Sequence, residues 1–165
     1  MLLKGGLISF LKADVDSAHV KFPPPLIALL SILFGTLLNW FWPAPIVSEN
    51  LRWPLGALLI LGGVGIMVSC SRLFKKAQTN IAPSKTTSHI ITTGIYGLSR
   101  NPIYLSFVIV GVGIAFAVNS LWIVLMQIPV VLLIRKFVIA KEEHYLESKF
   151  GDEYRNYKLN VRRWI

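Results

Sequence analysis

The sequence predicts an all-α integral membrane protein of about four spans. It reads as a single domain over residues 1–165, with a polar loop and carboxy-terminal helices gathered on one face. Three observations predict this. Hydrophobic residues make up 54% of the 165 and charged residues 15%, against about 25% charged in an ordinary soluble domain, and the mean hydropathy is +0.60. The apolar residues fall into four runs near the length that crosses a bilayer as a helix. Lys and Arg alternate in density between those runs, as expected of a multi-pass chain. The formal net charge of +9 suits an anionic membrane face, and the apolar excess makes nucleic acid the poorer partner. The one cysteine, Cys70, excludes an internal disulfide and a Cys-rich metal site.

Residues 1–22 hold a short apolar stretch, Leu7 to Leu11, among scattered charges. That is too little for a secretory signal, and it predicts a retained, partly interfacial segment. The first span covers about 25–42, behind the Pro23-Pro24-Pro25 run, with Trp40 and Trp42 where an interfacial aromatic belt belongs. The second covers about 54–74, with Pro54 suited to its first turn and Arg72, Lys75 and Lys76 at its end. The third and fourth, about 102–117 and 121–139, are joined by Val118, Asn119 and Ser120, which requires a tight antiparallel hairpin. Pro129 is expected to kink the fourth. Beyond it, Phe137, Glu142, Tyr145, Leu146 and Phe150 continue at helical spacing, with Gly151 as a cap. A last helix from about 152 places Tyr154, Tyr157, Val161 and Trp164 on one face, the pattern of an interfacial amphipathic helix.

The Lys and Arg residues number three before the first span, one between the first and second, five from Arg72 to Arg100, none in the Asn119 joint and eight from Arg135 onward. Positive charge stays cytosolic, so both termini, the 75–101 loop and the 140–165 helices are expected in the cytosol.

The polar residues able to do chemistry therefore share one side. Asn101 and Pro102 have the residue types of an N-cap and a first helical position. A helix start with Arg100 beside it suits an anion, and Tyr104, one turn on, reaches the same mouth. Gly94 and Gly97 allow a bent backbone just before it. Gly62, Gly63, Gly65, Gly111 and Gly113 lie in spans, where small residues let helices approach. Glu142 and Glu143 point about 100° apart on a helix, so at most one is expected to enter a site.

These residues carry a resemblance. The I-I-T-T-G-I-Y stretch from Ile90, R-N-P-I-Y from Arg100, E-E-x-x-L from Glu142, F-G-x-E-Y-x-x-Y from Phe150 and the closing V-R-R-W-I resemble the carboxy-terminal half of the isoprenylcysteine carboxyl methyltransferase family, which is similar to the phospholipid N-methyltransferases. The resemblance implies an enzyme that binds S-adenosylmethionine at the cytosolic mouth and methylates a lipophilic acceptor arriving from the bilayer. By position it implies cofactor contacts at Ile90, Ile91, Tyr96, Asn101, Pro102, Tyr104 and Glu142, with Arg100 supporting the mouth; a family histidine falls on Ser88, which leaves His89, one position on, as its substitute. It calls for no metal ion, and no protein partner is predicted beyond the acceptor and membrane lipids. Asn101 stands where the family often has histidine. The family's substrate arginine falls on Val138, which leaves Arg135 and Lys136 as nearby substitutes for substrate binding.

A methionine carboxylate suits the Arg100 mouth, and Glu142 can accept ribose hydroxyls. A carboxylate acceptor needs no general base, whereas an amine or thiol must first lose a proton. Carboxyl O-methylation leads, followed by phospholipid N- or small-thiol S-methylation on the same fold. An NADPH-dependent sterol-type reductase and a non-catalytic scaffold are readings of other classes.

Overall fold

The computed structural model describes residues 14–20 and 23–165. Its helices are α1 (Pro24–Phe41), α2 (Glu49–Lys76), α3 (Pro102–Val118), α4 (Leu121–Ile134), α5 (Ala140–Phe150) and α6 (Asp152–Asn160). A π-helical turn, Arg135–Ile139, joins α4 to α5, and a 3-10 turn, Gly94–Gly97, precedes α3. Most of the expected interfacial segment, residues 1–13 with 21 and 22, lies outside the described residues.

Three stretches are long and apolar enough to cross a membrane: α1, α2 and the continuous run Leu121–Phe150. The apolar part of that run ends at Ala140, before Lys141-Glu142-Glu143-His144. The expected third span, α3, is apolar but has 17 residues, a rise of about 26 Å at 1.5 Å per residue. Outward-facing Leu58 and Leu61 on α2 and Leu29, Leu30 and Leu33 on α1 are more than half exposed, as a lipid-facing surface requires.

The helices pair through small residues. A Cβ on Gly56 would lie 2.9 Å from the Ala117 nitrogen, and one on Gly35 would lie 2.8 Å from the Ile123 Cα. So α2 packs backbone to backbone on α3, and α1 on α4. Gly63 and Gly113 take part in such close approaches and Gly111 faces the Gln127 side chain, whereas Gly62 and Gly65 face open space.

The α3–α4 joint is as short as expected, and its residues explain why. Asn119 takes the left-handed conformation, φ 57°, and its side chain accepts from the Ile46 and Val47 nitrogens at 2.8 and 3.1 Å and donates to the Val47 carbonyl at 2.9 Å. Ser120 caps α4 by accepting from the Ile123 nitrogen, and Trp122 donates to the Trp42 carbonyl. The α1–α2 loop and this joint thus form one end of the bundle. The polar loop 77–101, α5 and α6 form the other.

Three expectations change. The second helix begins at Glu49, not Pro54, because Ser48 starts it and a Glu49–Arg52 ion pair at 3.0 Å supports its first turn; Pro54 sits inside. Pro129 lies within an unbroken α segment, and the departure from α geometry comes at Arg135–Ile139. The last helix turns two residues of its expected apolar face inward. It ends at Asn160, before Val161 and Trp164, and Tyr154 and Tyr157 are 3% and 8% exposed against the protein's own mouth.

Reporter insertions near Ser84 and after Ile165 are expected to report one side of the membrane and an insertion near Glu49 the other. Opposite sides for Ser84 and Ile165 would contradict the shared polar end.

Candidate active site

At the polar end Val20, Ile103, Tyr104 and Phe107, which belong to or pack on the buried apolar cluster of Val130, Ile134, Val138 and Ile139, line a cavity of about 420 Å³. That is within the usual size of small-molecule sites. Its walls are Val20 and the Pro23-Pro24-Pro25 run at the start of α1, the end of α2, the 80–91 loop, the start of α3, and α5 and α6.

Of the residues expected at a cofactor, His89, Ile90, Ile91, Tyr96, Arg100, Asn101, Tyr104 and Glu142 line this cavity. Pro102 does not; it is buried at the first position of α3. Arg135 does not either. It lies exposed with Lys136 in the π turn, away from the lining, because the turn buries Val138 and Ile139 instead. Phe74, Phe107, Leu146, Tyr154 and Tyr157 also line the cavity. Of these, Tyr154 and Tyr157 are the residues expected on the apolar face of an interfacial helix, Leu146 is part of the helical spacing of the tail, and Phe74 and Phe107 lie in apolar runs where spacing alone marks no site.

Local chemistry sets each position. Gly94 has φ 62°, a conformation L side chains rarely adopt, and a Cβ there would sit 3.2 Å from Leu73 Cδ1. The bend brings Tyr96 inward, 8% exposed, where the Tyr157 hydroxyl donates to its carbonyl at 2.7 Å. Burial raises the Tyr96 hydroxyl far above its usual range, so it stays protonated as a hydrogen-bond donor.

Asn101 does not cap α3 with its side chain. Its Nδ2 donates to the Arg163 carbonyl at 2.9 Å, because the tail offers a buried acceptor that the helix start cannot. The start of α3 therefore keeps N–H groups free of a side-chain cap.

Both acidic neighbours line the cavity, contrary to the expectation of one. The mouth wraps around α5, and the tail covers the side that would otherwise be solvated. Glu142 accepts from the Tyr104 hydroxyl at 2.8 Å, and no described cation bonds to it. It lies beyond the apolar stretch of the run, and burial pushes its carboxyl up to about 7, with the Tyr104 bond opposing and Glu143 reinforcing the rise. Glu143 is 7% exposed. Burial acts to raise it as well, but Arg163 and Arg100 hold it below the usual carboxylate range.

Arg100 is held on several sides. Its guanidinium donates to Glu143 at 2.9 Å and to the Lys158 and Val161 carbonyls at 2.9 and 3.1 Å. Its Nε is buried without a partner.

The fold and the cavity define a helical membrane protein whose one polar end holds a cavity of small-molecule size with paired and unpaired charge. The chain matches the phospholipid methyltransferase family over residues 51–153, more than half its length, and belongs to that family. It is 69% identical over 35 residues to an uncharacterized protein of Haemophilus influenzae, a stretch covering 21% of this chain and 56% of that one. It is 32% identical over 118 residues to a protein of Neisseria gonorrhoeae named a putative manganese efflux pump MntP, covering 66% of this chain and 58% of that one. The chain thus spans less than two thirds of the length of these curated relatives. No solved structure matches it.

Proposed function

We propose that this chain transfers the methyl group of S-adenosylmethionine to a lipophilic acceptor reaching the mouth from the bilayer, with the cavity on the cytosolic side. One observation carries the reading. Arg100, Glu143 and Arg163 together bear one surplus positive charge beside the start of α3, and Glu142 stands in the same cavity with no described cation bonded to it. S-adenosylmethionine carries a carboxylate close to an ammonium and a sulfonium, so the two kinds of charge match.

The residues fit the group. Arg100 and the first N–H groups of α3 suit its carboxylate, Glu142 accepts from its N–H or O–H donors, and Tyr96, Tyr104 and Phe74 offer ring faces to its cationic part. His89, Ile90, Ile91 and Asn101 would wall the remainder. Bound there, the cofactor supplies a methyl group on a positively charged sulfur. The protein's own residues contribute positioning and exclusion of water, which such a transfer chiefly needs.

A second observation bears on the acceptor. Among the described residues, Arg100 is the one Lys or Arg side chain lining the cavity, and it is already paired with Glu143. Arg135 and Lys136 lie outside. A carboxylate acceptor, as in isoprenylcysteine O-methylation, would need a cation besides Arg100, whereas an amine acceptor of the phospholipid N-methylation kind would first have to lose a proton. The described residues bring no three His, Cys, Asp or Glu side chains together to hold a metal ion, and the pump name belongs to the Neisseria relatives.

Calorimetric titration with S-adenosylhomocysteine in detergent tests the reading. Wild type is expected to bind saturably. Arg100→Lys, which keeps charge but loses the planar fork, weakens binding, and Arg100→Ala weakens it further, by about tenfold or more. NADPH binding in place of S-adenosylhomocysteine would establish the reductase class, and binding of neither would leave a scaffold.

A further inference from the structure

The Arg100 guanidinium is fixed by residues far from it in sequence. Glu143 sits between two arginines, accepting from Arg100 Nη2 at 2.9 Å and from Arg163 Nε and Nη2 at 3.0 and 2.5 Å. The Arg100 and Glu143 side chains are each 10% exposed, and Arg163 is 33% exposed. The backbone repeats the connection: the Arg100 nitrogen donates to the Arg162 carbonyl at 2.9 Å, and Asn101 binds the Arg163 carbonyl. The turn that opens α3 is thus bound through both main chain and side chains to residues 158–163.

Two features are left over once these bonds are counted. Arg100 Nε is a buried donor without an acceptor, on a side chain nine-tenths buried. Such a group is costly unless something fills the place. The start of α3 lacks a side-chain cap. Both are donors facing the need for an anion, and the three charges of the cluster leave a surplus of one positive.

We propose that Glu143 and Arg163 are positioning residues for the carboxylate of the cofactor's amino-acid arm. They hold the Arg100 guanidinium in the one placement that leaves its Nε–H, together with the start of α3, to a single anion. The inference rests on the methyltransferase reading and extends it, since Glu143 acts through Arg100 and does not itself touch the ligand. A free Arg100 on a flexible stem would find other acceptors, among them Glu142.

The test compares two ligands. S-adenosylhomocysteine carries the amino-acid arm, whereas 5′-methylthioadenosine is the same nucleoside thioether without it. Affinities are measured by calorimetry for wild type, Glu143→Gln and Arg163→Ala, beside thermal unfolding of each. Both variants are expected to lose about tenfold or more in S-adenosylhomocysteine affinity while 5′-methylthioadenosine stays within about twofold. Arg163→Ala keeps the Arg100–Glu143 pair intact and so serves if Glu143→Gln does not fold. A parallel loss for both ligands, or no loss for either, would show the cluster to be merely structural and overturn the proposal. Wild type binding neither ligand would instead overturn the methyltransferase reading beneath it.

Discussion

Glu142→Gln is expected to weaken S-adenosylhomocysteine by about tenfold to over a hundredfold, the range of a lost charge-assisted hydrogen bond. The substitution keeps the shape and the Tyr104 contact while removing, among the described residues, the one carboxylate in the cavity with no cation bonded to it. Because burial pushes that carboxyl up to about 7, the effect depends on pH. Above 7 Glu142 is an anion that accepts from a cationic ligand; below it the group is protonated and one charge is lost. Wild-type affinity therefore falls as pH drops from 8 to 6. Tyr104, Tyr96 and Glu143 also face this carboxyl, and His89 lines the same cavity, so the Gln variant is measured over the same range. The difference between the two curves belongs to Glu142. Parallel curves would remove Glu142 from the binding site.

Gly113→Val is expected to cost the largest share of stability. Its first added atom would stand 2.8 Å from Ile60 Cγ1, 2.9 Å from the Ile60 nitrogen and 3.0 Å from the Gly56 carbonyl. Two of the three obstacles are backbone, so α2 and α3 must move apart. Overpacking typically costs about 1–3 kcal/mol, occasionally more, and here it also loosens an interface that van der Waals packing holds together in a bilayer. Gly62→Val provides the control, since nothing lies within 4 Å of its Cβ. Thermal unfolding in one detergent should show a large drop for the first and little change for the second; equal drops would mean the close approach is not what those glycines serve.

The pair also shows where sequence reading stops. That small residues in the spans serve packing is legible in the composition of the runs. Which of them do so is not, because Gly62 and Gly63 differ by one residue and by the side of α2 they occupy. The apolar helices, the Asn119 joint and the Gly151 cap were legible for local reasons: length, a left-handed residue and a positive φ. In the cavity lining, Arg100, Asn101 and Tyr104 were legible because a proline-started helix and a Gly94 bend define a mouth within one short segment, whereas His89, Ile90, Ile91 and Tyr96 came from the family resemblance.

What was not legible depends on long-range partners. Asn101 has the residue type of an N-cap, yet a carbonyl 62 positions away takes its amide. Glu143 reads as a solvated neighbour of Glu142 until Arg163 folds back over it. Tyr154 and Tyr157 share a face whichever surface covers them, and spacing alone cannot distinguish lipid from protein. Arg135 was carried over by counting turns along an ideal helix, and the helix there is not ideal.

The π turn at Arg135–Ile139 bears on how relatives of this chain are compared. A π turn accommodates one additional residue while the faces above and below it keep their phase. A relative with one residue fewer between the positions of Pro129 and Glu142 would form an unbroken α-helix and still present the same two carboxylates. Alignment across this segment therefore calls for a one-residue gap inside 135–139. Any assignment made by counting from the acidic pair back into the membrane slips by one position unless that gap is placed.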